Sequence, residues 1–154
     1  MELAARVLSA GVVVVRREAE GWVYLLLRVY NYWDFAKGEV QPGEDPLQTA
    51  RREVAEEAGL KDLSFFWGHV YRETAPYGRG KIARYYVAQT REKDIELPIS
   101  EELGRPEHHE ARWVSYPEAR SLLLPRLVSI LDWANALITG LKDSASREGT
   151  FPVE

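Results

Sequence analysis

A helix with clearly marked ends lies between Asp45 and Gly59. Asp45 is a residue type that caps helix N-termini, Pro46 follows at the first helical position, and Gln48 can complete a capping box. Gly59 can adopt the left-handed conformation with which many helices end. The chain must therefore fold around a helix whose length is set by its own local sequence.

This helix has one apolar face and one acidic face. At about 100° per residue, apolar side chains gather on one side and carboxylates fall on a separate arc about 100° wide. The apolar positions are Leu47, Ala50, Val54 and Ala58, and the acids are Glu53, Glu56 and Glu57. Like charges three or four residues apart destabilise a helix by roughly 0.2–0.5 kcal/mol per pair. We therefore expect a cation on the acids, and Mg²⁺, which takes oxygen ligands and substrate phosphates, fits best.

The residues around the helix extend this pattern. A Glu-rich helix alone is commonly a solvated face, here with Arg51 and Arg52 as ion-pair partners. Here, however, the acids of the helix belong to a longer pattern with fixed intervals. The pattern also includes a glycine and an acid in the preceding loop region and the glycine at the end of the helix. Its fixed positions are Gly38, Glu44, Arg52, Glu53, Val54, Glu56, Glu57, Gly59 and Leu60. Each of them matches the signature of the Nudix hydrolases, which this chain resembles.

The resemblance implies a fold, a cofactor and a reaction. The fold is a Nudix-type α/β/α sandwich, of the α/β (α+β) class, in which helices cover both faces of a mixed central sheet. The motif would form a loop–helix–loop that binds Mg²⁺, for which Mn²⁺ can substitute. Its metal ligands would be Glu53, Glu56, Glu57 and the Gly38 carbonyl. The reaction would be hydrolysis of a nucleoside diphosphate linked to another moiety, by in-line attack of water.

The resemblance also implies roles in support and catalysis. Arg52 would hold a carboxylate, and Glu44, just before the helix, would orient the loop. Glu107 stands where related enzymes carry a further Glu before a Trp-containing strand, and it would bind another metal ion or act as base. Glu110 is its rival for that role. The catalytic candidates are Glu53, Glu57 and Glu107.

Short stretches outside the helix resemble one branch of these enzymes. They are residues 33–38 and 40–45, Tyr77, and Glu107 and His108 ahead of Trp113. The branch is that of the asymmetric diadenosine tetraphosphate hydrolases, which cleave this dinucleotide to ATP and AMP. The resemblance makes Tyr77 a base-stacking ring, although Ala36 stands where Pro is common and the loop near Tyr77 differs in length. The substrate-binding candidates are Tyr32, Lys37, Tyr77, Arg79 and Lys81.

Several alternatives remain open. The aromatic residues 30–35 are equally expected in a core, and an ordinary solvated hairpin tip is the alternative for residues 72–81. Within the same fold, the substrate could be an RNA 5′ end or a nucleoside triphosphate. A non-catalytic, nucleotide-sensing module is the alternative of another class, and the complete set of acids disfavours it.

Apolar runs along the rest of the chain predict a sheet. Residues 10–15 and 21–28 are predicted to form a hairpin, and the second run is apolar on both faces, which favours helices on each side. Further strands are predicted at 63–71, at 82–89 and just before 115, helices from 115 and over 125–139, and an irregular connection at 91–105. We predict one domain, residues 1–142, and a polar, poorly ordered tail, residues 143–154.

Composition restricts the partners. A net charge of -4 disfavours duplex nucleic acid but allows a small nucleoside polyphosphate. The chain has no cysteine, which is typical of the cytoplasm, the predicted location, and no apolar stretch that would span a membrane. His108 and His109 are interpreted as a surface pair, because no cysteine or third ligand supports a zinc site. The oligomeric state is not determined by the sequence.

Overall fold

A mixed sheet forms the centre of the molecule. The computed structural model describes residues 7–140. The strands are β1 (Val7–Glu18), β2 (Gly21–Val29), β3 (Tyr32–Asp34), β4 (Ala36–Glu39), β5 (Arg72–Glu73), β6 (Lys81–Gln89) and β7 (Glu110–Val114). They run in the order β3-β2-β1-β6-β5, with β4 also pairing with β1 and β7 with β2. The pairing of β1 with β6 is parallel and the others are antiparallel, so the sheet is mixed.

The two longest apolar strands place this sheet between two cores. The predicted hairpin is confirmed, since β1 and β2 pair antiparallel across a short turn. Successive side chains of a strand point to opposite faces. Accordingly, Val12 and Val14 pack into one core, whereas Val13 and Val15 pack into the other. Both faces of the sheet therefore need a cover of helices.

The helix α1 (Pro46–Ala58) covers one face. Its predicted ends are confirmed: the Asp45 side chain accepts from the Gln48 backbone, the Gln48 side chain accepts from the Asp45 backbone, and Gly59 follows at φ 73°. The fully buried positions of its apolar face are Ala50, Val54 and Ala58. Packing of this face against the sheet leaves the acidic face beside β4 and the loop that follows it.

Two further helices cover the opposite face. They are α2 (Tyr116–Leu122) and α3 (Pro125–Thr139), and α3 ends at Gly140 with φ 77°, as predicted. Ile130, Leu131 and Ala134 of α3 are completely buried, and full burial of a side chain such as Leu131 stabilises the fold by about 1.5–3 kcal/mol. The Tyr24 hydroxyl of β2 donates to Asn135 at 2.7 Å. The predicted α/β/α sandwich is confirmed.

Residues 63–71 do not form the predicted strand. Only Ser64 makes a bridge to the sheet. The chain then turns at Gly68, which has a φ of 88°. The apolar character of the segment has another cause, because Trp67 packs on the core from this turn and meets the edge of Trp22 with 5.5 Å between ring centroids.

The aromatic segment 30–35 contains the short strand β3 and is followed by the short strand β4, and the sequence pattern predicted neither strand. Trp33 and Phe35 are buried, whereas Tyr32 is 60% exposed. Tyr30 is 67% exposed as well, so the core interpretation holds for two of the four rings in residues 30–35 and not for the other two. Their burial anchors the chain where it enters the loop before α1.

The remaining expectations concern connections and ends. Residues 91–105 contain no helix or named strand, as predicted. The predicted tail, residues 143–154, lies outside the described residues. Within residues 7–140, no helix is both long enough and apolar enough to cross a membrane.

Candidate active site

Strand β4 brings a glycine against the acidic face of α1. The antiparallel pairing of β4 with β1 sets Gly38 opposite Ala10. A Cβ atom on Gly38 would lie 2.1 Å from Cδ and 2.2 Å from Oε2 of Glu53. Because glycine has no Cβ, the backbone can approach the carboxylate this closely. The Gly38 backbone and the Glu53 side chain therefore meet at one edge of the site.

Arg52 joins several acids of the same segment. Its Nε donates to Glu44 at 2.6 Å, and its Nη1 donates to Glu53 at 2.8 Å and to Glu56 at 3.2 Å. The Thr49 hydroxyl also donates to Glu44, at 2.7 Å. The hydrogen bonds from Arg52 and Thr49 lower the pKa of Glu44 to about 2. Glu44 is therefore held as a carboxylate at the start of the helix, and its role in orienting the loop stays a prediction.

Glu57 is the buried acid of the site, with 4% of its surface exposed. The backbone N–H of Lys37 donates to its Oε1 at 3.3 Å. Burial, a hydrogen bond with Glu53 and the charges of Glu107 and Glu53 together raise the pKa of Glu57 to about 10. A nearby positive charge favours the ionised form of a carboxyl, so a bound cation would relieve this unfavourable environment.

Glu107 and His108 reach the same place from the loop before β7. Glu57, Glu107 and His108 offer ligand atoms that all lie within 4.8 Å of one another. Partial burial and the charge of Glu53 raise the pKa of Glu107, whereas burial lowers the pKa of His108. The tertiary fold thus adds two side chains to the acids of α1.

The expectation of a surface histidine pair is wrong for His108. Its side chain is 11% exposed, and its Nε2 lies 3.9 Å from Oε1 of Glu57. Its Nδ1 is buried and has no hydrogen-bond partner among the described residues. His109 is different, because it is exposed and its Nδ1 accepts from the Tyr30 N–H at 3.1 Å. The only sequence signal for His108 was its position beside Glu107.

Glu110, the rival of Glu107, is engaged elsewhere. It accepts from Arg28 at 3.0 Å and from Arg112 at 2.9 Å. These hydrogen bonds lower the pKa of Glu110. Glu110 therefore serves as an ion-pair partner of two arginines, which makes it a poor proton acceptor compared with Glu107.

Two adjoining cavities meet at these residues. The acidic cavity, of about 840 Å³, is lined by Lys37, Gly38, Glu39, Gln41, Arg52, Glu53, Glu56, Glu57, Pro98, Ile99, Ser100, Glu101, Glu102 and Glu107. The small cavity, of about 260 Å³, is lined by Leu27, Val29, Tyr32, Trp33, Asp34, Phe35, Lys37, Glu57, Glu107, His108, Leu124, Arg126 and Leu127. Lys37, Glu57 and Glu107 line both, so a substrate could occupy the two cavities at once.

Lys37 is held in the shared wall by Asp34, which the sequence analysis did not single out. Its Nζ lies 3.5 Å from Asp34, and Asp34 also accepts from the Tyr85 hydroxyl at 3.0 Å. Burial opposes the charge of Lys37, but Asp34, Tyr77 and Glu57 outweigh it and raise the pKa of Lys37. Lys37 is therefore a cation next to the acids of α1.

The other substrate-binding candidates are spread more widely. Tyr32 lines the small cavity. The ring of Tyr77 lies under the guanidinium of Arg126, with 4.0 Å between Cζ and the ring centroid. Tyr77 and Lys81 pair through their backbones at the base of a turn, and Lys81 and Arg79 have exposed side chains there. The roles assigned to all these residues remain predictions, and Arg126 is an addition that no sequence signal suggested.

The donor set fits a hard divalent cation. Seven glutamates line the acidic cavity around Gly38, and Mg²⁺ prefers such oxygen ligands. The buried Glu57 carboxyl is the group whose charge most needs a positive neighbour. Thiolates, which would favour a softer metal, are absent because the chain has no cysteine.

The chain is similar to known proteins in both sequence and fold. A family model of the NUDIX domain matches residues 5–134. Over 107 residues the chain is 36% identical to the asymmetrical bis(5'-nucleosyl)-tetraphosphatase of Sus scrofa, a match that covers 64% of this chain and 68% of that protein. Over 141 residues it is 24% identical to the RNA pyrophosphohydrolase of Bartonella bacilliformis, covering 75% of this chain and 81% of that one.

A solved structure extends the similarity to the fold. The crystal structure of a Caenorhabditis elegans Ap4A hydrolase binary complex matches with a TM-score of 0.73 at 28% identity. The match covers 87% of this chain and 98% of that one. The likeness therefore includes both helical layers and the sheet between them.

Proposed function

The chain belongs to the NUDIX family and is a hydrolase of phosphoanhydride bonds, and we propose that it cleaves diadenosine tetraphosphate to ATP and AMP with the help of Mg²⁺. The observation that carries the proposal is the buried Glu57 between the two cavities, surrounded by Glu53, Glu107 and Lys37. At this place, carboxylates whose mutual repulsion a cation would relieve lie beside a lysine that can bind a phosphate chain. The asymmetrical tetraphosphatase of Sus scrofa and the C. elegans Ap4A hydrolase support this choice of substrate.

The cation would be held by the acids of α1 and the loop before it. Glu53, Glu56, Glu57 and the Gly38 carbonyl are the proposed ligands, and Glu107 would be a further one only where it does not act as the base. When bound, a divalent cation supplies charge neutralisation on the polyphosphate and a lower pKa for a coordinated water. Mn²⁺, which prefers similar ligands, would substitute for Mg²⁺.

The chain's own residues would position the substrate and accept the proton. Lys37 contacts the polyphosphate from the wall that the two cavities share. Arg52 holds Glu53 at 2.8 Å and so keeps this carboxylate oriented. Glu107 forms no ion pair with any described residue, and its pKa is raised, so it is better suited than Glu53 to take the proton of the attacking water.

A second substrate deserves a direct comparison. The RNA pyrophosphohydrolase of Bartonella bacilliformis also matches this chain, over a larger share of its length. The net charge of -4 disfavours a long nucleic acid but does not prevent binding of one 5′ end. Pyrophosphate release from RNA is therefore the candidate against which the dinucleotide should be measured.

Product analysis tests the proposal. Diadenosine tetraphosphate, triphosphorylated RNA and nucleoside triphosphates are each incubated with the protein, with Mg²⁺ or with EDTA, and the products are separated by anion exchange. We expect equal amounts of ATP and AMP from the dinucleotide and no product in EDTA. Two molecules of ADP per dinucleotide, or a much higher kcat/KM on RNA, would overturn the choice of substrate. Running the reaction in ¹⁸O-labelled water shows which product received the attacking oxygen.

A further inference from the structure

Arg126 is a partly buried cation that lacks an anionic partner. Arg28, Arg52 and Arg120 form ion pairs with acids, whereas Arg126 pairs with no acid among residues 7–140. Its Nε is buried and has no hydrogen-bond partner among those residues. An unpaired polar group away from water costs free energy, so this position calls for an anion from outside the described residues.

The stability of the helix does not explain this arginine. Arg126 is the second residue of α3, directly after Pro125. The N-terminal end of a helix carries a partial positive charge, and cations there are unfavourable. The ring of Tyr77 offers one compensation, with its centroid 4.0 Å from the guanidinium carbon. That contact leaves the hydrogen-bonding capacity of Nε unused.

The position of Arg126 relative to the acids suggests what the anion is. Arg126 lines the small cavity, and Lys37 and Glu57 line both cavities. A polyphosphate whose reacting phosphate lies beside Glu57 would therefore extend past Lys37 into the small cavity. Arginine is well suited to such a ligand, because its planar fork can bond two phosphate oxygens at once.

We infer that Arg126 binds a phosphate of the substrate on the small-cavity side of the reacting bond, and that Tyr77 positions it there. The inference rests on the proposed function only in taking a polyphosphate as the substrate. It makes Arg126 a residue that favours phosphate chains extending from the acidic cavity into the small cavity, because Arg126 lines only the small one of the two. Tyr77 acts through Arg126 as a positioning residue in this arrangement.

The test compares Arg126→Met with a matched control, Arg17→Met. Arg17 also lies over an aromatic ring, with its Cζ 5.3 Å from the centroid of Trp22, but it is an exposed residue of β1 and lines neither cavity. Steady-state kcat and KM for diadenosine tetraphosphate are measured in Mg²⁺. The affinity for inorganic tripolyphosphate is measured separately by calorimetry, because binding of this probe does not depend on turnover.

For Arg126→Met we expect a KM and a tripolyphosphate dissociation constant that each rise about ten- to hundredfold, the size of one charge-assisted hydrogen bond. The kcat should stay within about threefold of wild type, and Arg17→Met should match wild type in all three quantities. Arg126→Lys keeps the charge and should therefore bind tripolyphosphate more tightly than Arg126→Met but less tightly than the wild type. If Arg126→Met does not fold, the comparison of Arg126→Lys with the wild type tests the inference.

Unchanged tripolyphosphate affinity in Arg126→Met, or equal losses in Arg126→Met and Arg17→Met, would overturn the inference. If the wild-type protein does not hydrolyse diadenosine tetraphosphate, the proposed substrate is overturned instead. Even then, weaker tripolyphosphate binding by Arg126→Met would support the phosphate contact. The two failures are therefore distinguishable.

Discussion

The two cavities of the site are assembled from the chain in different ways. Most acids of the acidic cavity come from one continuous segment, residues 38–57, in which the helical repeat sets their spacing. The small cavity instead collects residues 27–37, 57, 107–108 and 124–127, which meet only in the folded protein. Functional residues that lie on one helix can be predicted from the local sequence, whereas the residues of a pocket assembled from several elements cannot.

The difference extends to charge. The acidic cavity concentrates carboxylates that repel one another until a cation is bound, as the raised pKa of Glu57 indicates. The small cavity shares Glu57 and Glu107 with the acidic cavity but adds aromatic walls and Arg126. Together, Lys37 and Arg126 suit the phosphates of a substrate. Mutations in the two cavities should therefore affect different kinetic constants.

The largest expected effect belongs to Glu57→Gln. Removing one carboxylate should lower kcat at least about a hundredfold, because a catalytic metal contributes several kcal/mol to transition-state stabilisation and 1.4 kcal/mol is about tenfold. The fold should persist, since Gln has nearly the shape of the protonated Glu57 and the pKa of Glu57 is raised to about 10. Turnover assays and thermal melts check both statements.

Glu102→Gln is the control for that prediction. Glu102 lines the same cavity from the loop before β7 and is exposed. Its substitution should change kcat only a few fold. If both variants lost activity equally, overall negative charge rather than the acids of α1 would account for catalysis, and the contrast between the cavities would weaken.

The next largest loss of activity is expected for Gly38→Ala, with Gly11→Ala as its control in the same sheet. Gly38→Ala would bring a Cβ within 2.1–2.5 Å of the Glu53 carboxyl group, which can swing away. We expect kcat to fall about ten- to hundredfold with little change in stability, because a displacement of about 1 Å in a catalytic group can cost a hundredfold. Activity assays and circular dichroism melts measure the two properties.

Gly11→Ala is the opposite case. A Cβ there would lie 2.1 Å from the backbone carbonyl oxygen of Ala36, which cannot move without disturbing the pairing of β1 with β4. This variant should lose stability first and activity only as a consequence. Equal stability of the two alanine variants would contradict the assignment of Gly38 to the site.

The last prediction concerns the pH dependence of stability in metal-free protein. The folded state raises the pKa of Glu57 to about 10, so the unfolded chain, with a glutamate pKa of about 4.3, releases this proton first. The stability that Glu57 contributes is thus fully present below about pH 4.3 and is lost as pH rises toward 10. In EDTA, the difference between the Tm of the wild type and that of Glu57→Gln should therefore fall as pH rises. The fall should be about 2–4 °C for each kcal/mol of stability lost.

Adding Mg²⁺ sharpens this last prediction. A cation binds the ionised carboxylate, so it should raise the wild-type Tm more at high pH than at low pH and should act much less on Glu57→Gln. Parallel pH profiles for the two proteins in EDTA would show that Glu57 is not the titrating group.

Particular elements show which parts of the fold were accessible from sequence. The ends of α1 and the β1–β2 hairpin were predicted because capping and hairpin signals act between near neighbours. Residues 63–71 were misassigned, because an apolar segment that packs on the core from a turn has the composition of a strand. His108 was misjudged for a related reason, since its burial depends on β2, α1 and the loop before β7 meeting.

Local spacing was therefore enough to predict the motif helix and its acidic face, and the family resemblance carried by that spacing implied the α/β/α layers. Helical periodicity brings residues three and four apart together whatever surrounds them. The burial of Glu57 and His108, the ion pairs that occupy Glu110 and the contact of Arg126 with Tyr77 were decided by tertiary packing. Exposure and charge environment depend on neighbours distant along the chain, and the order of residues does not specify those neighbours until the sheet and helices have come together.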